Sequence, residues 1–118
     1  MNECEFWEFL DKLLEKGRFN QVIGAISGLE PCAAAYLQAH AILPRDYDKL
    51  GQKDIVRIGA LLFQDASHKT KEAVLMILAH QPSEIALTIL SKYCLVSNKG
   101  LEYFAEMALE ECAMWNTR

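Results

Sequence analysis

The sequence holds no run of β-branched residues in strict alternation and no Asn-Gly or Asp-Gly pair between apolar stretches, so strands and tight hairpins are not expected. Its six glycines are spread singly, which excludes a glycine-rich phosphate loop, and there is no Gly-x-Ser-x-Gly nucleophile turn. HExxH, a Glu-x-x-His pair and an EF-hand loop are all missing, so spacing points to no metal and no cofactor. Cys4, Cys32, Cys94 and Cys112 form no CxxC pair and read as reduced, core-type thiols. Glu3, Glu5, Glu8, Asp11 and Lys12 interrupt the start of the chain, which excludes an apolar leader or spanning helix there and makes the cytosol the expected compartment.

What the chain does have is apolar bulk. Hydrophobic residues make up 52% of 118 positions and charged residues 24%, enough to bury one core, and the length suits a single domain over residues 1–118. The formal charge of −4 argues against nucleic acid or an anionic membrane as the main partner.

Helical periodicity runs throughout. Phe6, Phe9, Leu10, Leu13 and Leu14 recur at three- and four-residue steps from Glu3 to Lys16, where Gly17 caps the helix. A second helix is expected from Phe19 to Ser27, and a third from Glu30 to Leu43 with Pro31 in its first turn. Residues 45–52 read as a loop, followed by a fourth helix from Asp54 to Gln64. Ser67 and Ser83 are expected N-caps of the fifth and sixth helices, on either side of the turn at Gln81-Pro82-Ser83. The fifth is apolar nearly all round, which predicts burial on several sides. Ser97 or Asn98 is the expected cap of a seventh helix from Gly100 to Trp115, with Leu101, Phe104, Met107, Ala108 and Met114 or Trp115 facing inward.

The stretch from Lys71 through Gln81-Pro82-Ser83 to Ile89-Leu90 resembles a HEAT-type repeat, with its helix, proline turn and Ala-Leu-x-x-Leu second helix. Gly17-Arg18-Phe19-Asn20-Gln21-Val22-Ile23 is similar to the hairpin turn of tetratricopeptide repeats. These resemblances imply an αα-superhelix that offers a groove to a peptide or protein. A compact irregular helical bundle is the alternative on the same punctuation.

Candidate chemistry is thin. His40, His68 and His80 have no partner at motif spacing and read as structural histidines, His68 sharing a solvated face with Glu72. Arg45, Lys49, Lys53, Arg57, Lys69 and Lys71 make the middle of the chain mildly basic beside Tyr47, although Asp46, Asp48, Asp54 and Asp65 dilute it. Trp7 and Trp115 are candidate interface anchors, with core packing as the plainer role for Trp7. Glu102, Glu106 and Glu110 stack at four-residue intervals, and with Glu111 they form an acidic cluster suited to a basic protein.

Together these features predict an all-α domain of about seven short helices in antiparallel hairpins that acts without catalysis as an adaptor, chaperone or inhibitor. The expected contact residues are Glu102, Glu106, Glu110, Glu111, Trp115, Trp7, Tyr47 and Arg57. Two other readings stand beside it: a bundle holding a small apolar ligand with His40 or His80 as polar handle, and a homo-oligomer in which the fifth helix completes its burial against another copy.

Overall fold

The computed structural model describes residues 1–14, 31–40, 43 and 50–117. They form six α-helices: α1 (Glu3–Leu14), α2 (Pro31–Ala39), α3 (Gln52–Ala60), α4 (His68–Ala79), α5 (Glu84–Val96) and α6 (Glu102–Asn116). A 3-10 turn at Leu61–Phe63 carries the chain on from α3, and no strand occurs among the described residues. The fold is all-α. Among these residues no helix is long and apolar enough to cross a membrane. The helix expected over Phe19–Ser27, the cap at Gly17 and residues 45–49 of the expected loop, Tyr47 among them, lie outside the described residues, while Gln52, expected in that loop, opens α3.

Helix α4 is the axis of the core. Every residue from Ala73 to Ala79 is buried, and α2, α3, α5 and α6 all pack on it. An amphipathic helix has one stripe to hide, whereas this one is apolar on every side and must be surrounded. Its burial is completed inside a single chain, so this helix needs no second copy to cover it. Ser67 and Ser83 act as expected, their hydroxyls accepting from the backbone N–H groups of Thr70 and Ala86.

Other expectations are corrected. Neither Ser97 nor Asn98 caps α6: the residue before it is Leu101, with no side-chain cap. Asn98 is engaged elsewhere, its Oδ1 accepting from Lys71 Nζ (2.7 Å) and from the Tyr93 hydroxyl (2.8 Å). Lys71 is therefore buried and does not belong to the exposed basic surface of the middle segment. Helix α2 ends at Ala39, short of the expected Leu43, and the 3-10 turn replaces the last turn of the expected fourth helix. On α6 the inward stripe is Phe104, Ala105, Ala108 and Cys112, while Met107 is half-buried and Met114 exposed. Of the cysteines described, only Cys112 is a core thiol; Cys94 is half-buried and Cys4 exposed.

Helix α1 is tied to the start of α4 by polar contacts. Trp7 Nε1 donates to Thr70 Oγ1 at 3.0 Å, and Glu3 Oε1 accepts from the Ser67 amide (2.9 Å), the Ser67 hydroxyl (2.6 Å) and the Thr70 hydroxyl. Phe6 and Leu10 complete the attachment by entering the core. At the opposite edge, α2 leans on α6 through the edge-to-face contact of Tyr36 with Phe104, centroids 4.9 Å apart.

Candidate functional site

Among the described residues, a polar cluster lies among α2, α4 and α6 and an apolar groove between α3 and α5. The cluster forms because α2 and α4 are each followed directly by a histidine beside the third turn of α6. His80 Nε2 lies 2.5 Å from Glu111 Oε2, and His40 Nε2 lies 3.4 Å from each Glu111 oxygen. The Tyr36 hydroxyl donates to Glu111 Oε1 at 2.5 Å. The two imidazoles meet edge to face, centroids 4.8 Å apart.

Both rings are oriented by the backbone of their own helices. His80 Nδ1 lies 2.9 Å from the Met76 carbonyl, and His40 Nδ1 lies 3.0 Å from the Tyr36 carbonyl and 3.2 Å from that of Leu37. A carbonyl only accepts, so Nδ1 carries a proton in each ring and Nε2 is the atom presented to Glu111. Burial of Glu111 on its own would favour the neutral acid, but hydrogen bonds from His40, His80 and Tyr36 outweigh it and hold the carboxyl well below its usual range. At His40 burial acts to lower the imidazole, and the Glu111 carboxylate overrides it, leaving the pKa raised. Burial, with the Glu111 carboxylate beside it, pushes the Tyr36 phenol upward. Burial also moves the neighbouring Cys112 thiol up to about 11, so it stays protonated at neutral pH.

A pocket of about 360 Å³ opens on the cluster, with Leu37, Met107 and Met114 as its apolar walls. The Glu111 carboxylate, the His40 imidazole and the Tyr36 phenol line one side, so these three groups are reachable from solvent, while His80 is buried behind them.

The groove arises from a close helix approach. A Cβ on Gly59 of α3 would sit 2.7 Å from Ile89 Cδ1 of α5, so a larger residue there requires the Ile89 side chain to shift. Beside it Val56, Phe63, Ile85 and Ile89 line a trough of about 530 Å³. Val56 and Phe63 are each 51% exposed. Lys92 borders the trough and Lys53 and Arg57 its continuation, with Glu84 as the acid among them.

Of the residues singled out from sequence, Arg57 stands exposed at this groove. Glu102, Glu106 and Glu110 form an exposed ridge on α6, whereas Glu111 turns away from it into the cluster. Trp115 is half-buried, its ring 6.3 Å from that of His80, and Trp7 is half-buried against Thr70. The pairing of His40, His80 and Glu111 escaped sequence reasoning because they stand on three helices with no common spacing. Compared with protein-family models, curated proteins and solved structures, the chain matches none.

Proposed function

We propose that the protein is a non-catalytic binding module, of adaptor, chaperone or inhibitor type, that takes an amphipathic helix of a partner protein into the α3–α5 groove. The observation that carries this reading is the second apolar face of α5. Ala86, Leu90 and Tyr93 go to the core, yet Ile85 and Ile89 line the groove; Lys92 follows on the same side, and Val96 lies one turn beyond it. Leu95 is 85% and Val96 62% exposed. Exposed apolar side chains of this kind, beside a core already buried among the described residues, mark a surface that another protein covers.

The rim favours an acidic helix, since Lys53, Arg57 and Lys92 outnumber Glu84. A second reading has its own surface: the exposed Glu102, Glu106 and Glu110 ridge suits a basic partner. The helical-repeat likeness of residues 71–90 agrees with either role.

Affinity capture from the native host with three baits separates the two: the unaltered protein, Val56→Glu with Phe63→Glu, and Glu106→Lys with Glu110→Lys. A partner lost only by the first pair sits in the groove. One lost only by the second pair moves the interface to the ridge, and a partner kept by both removes these surfaces from the argument.

A further inference from the structure

We propose that His40, His80 and Glu111 form a binding site for a divalent transition-metal ion of the zinc class. Three potential ligand atoms, one from each residue, lie within 4.8 Å of one another on three separate helices. Two imidazole nitrogens and one carboxylate oxygen are a donor set that suits zinc and leaves a fourth position open; the harder calcium and magnesium ions take oxygen shells.

The surroundings match what metal-binding histidines require. Each imidazole has its Nδ1 engaged by a backbone carbonyl, which fixes the tautomer with Nε2 facing inward. Glu111 is held in the same way, the Tyr36 hydroxyl occupying Oε1 and leaving Oε2 directed toward His80. The pocket walled by Leu37, Met107 and Met114 provides the entry path and the space for a fourth ligand.

The geometry asks for a small adjustment. Tetrahedral zinc with bonds of about 2.0–2.1 Å holds its ligand atoms about 3.3 Å apart. His40 Nε2 already lies 3.4 Å from the carboxylate, while the 2.5 Å separation of His80 Nε2 from Oε2 must widen to admit an ion. Rotation of the Glu111 carboxylate about its own side-chain bonds supplies such a movement. Cys112 stands next to Glu111 in sequence but is directed at the Gln81 carbonyl, 3.5 Å away, so among the described residues no thiol joins the three ligands.

The test uses the full chain, stripped with a chelator and equilibrated with Zn²⁺ or Co²⁺ alone. One equivalent of Zn²⁺ should bind, and the Co²⁺ form should show visible d–d bands without the near-ultraviolet charge transfer of a thiolate ligand. His40→Ala and Glu111→Gln, each checked for helicity by circular dichroism, should lose stoichiometric uptake. Tyr36→Phe keeps all three ligands and should weaken binding by about 10–100-fold through loss of the outer hydrogen bond. This variant keeps the proposal testable where a ligand variant does not fold. The proposal is overturned if the unaltered protein takes up no stoichiometric Zn²⁺, if uptake is the same in folded ligand variants, or if the Co²⁺ spectrum carries thiolate bands.

Discussion

The Lys71 ammonium and the Tyr93 hydroxyl meet at one atom, Asn98 Oδ1, at 2.7 and 2.8 Å. This pins the start of α4 and the end of α5 to the turn that leads into α6. Asn98→Ala removes the acceptor and leaves a buried ammonium short of a partner, so a loss of about 1–3 kcal/mol is expected. Lys71→Met removes the charge while keeping the apolar stem and should stay within about 1 kcal/mol of the unaltered protein. Urea denaturation of both variants checks the order; Lys71→Met as the more damaging change would refute it.

Glu111 is the acceptor shared by His40, His80 and Tyr36. Glu111→Ala should therefore cost about 3 kcal/mol, whereas the exposed Glu106→Ala should stay within about 0.5 kcal/mol although it is only a little more than one turn away. Equal denaturant midpoints for these two variants would contradict the placement of Glu111 inside the cluster.

The α3–α5 approach gives a steric prediction. Gly59→Val puts a branched side chain against Ile89, whose Cδ1 would already be 2.7 Å from an added Cβ. The helices must separate or Ile89 must leave its position, at about 1–3 kcal/mol. Thermal unfolding reads the loss. Combining Gly59→Val with Ile89→Ala should recover part of it, because the two side chains compete for one space.

A pH effect follows from the tie between α1 and α4. Hydrogen bonds from the Ser67 and Thr70 hydroxyls, then the Ser67 amide, lower the Glu3 carboxyl from 4.5 to about 2. A carboxyl lowered in the folded state contributes fully above its unfolded value and loses that contribution as pH falls from about 4.5 toward 2. The stability difference between the unaltered protein and Glu3→Gln should shrink across this window and be constant above it. A difference that grows on acidification would reverse the assigned sign.

Much of the helix order could be read directly from the chain. Ser67 and Ser83 announce their helices because a cap needs only its own hydroxyl and an amide three residues on. The Glu102, Glu106 and Glu110 ridge is equally local, set by the helical period alone. The all-round apolar character of α4 also declared its central place.

Helix-to-helix packing settled the rest. Asn98 looked like a cap, but the packing of α4 against α5 brings it Lys71 and Tyr93 as competing partners. On α5, contact with α4 and α6 sends Ala86, Leu90 and Tyr93 to the core and leaves Ile85 and Ile89 half-buried at the groove and Val96 exposed. The cluster is the extreme case, because its atoms converge only after α2, α4 and α6 have taken their mutual positions. Caps and turns are decided by residues a few positions apart, so a sequence carries them openly. Convergence between helices depends on how whole faces fit together, and no local spacing records that.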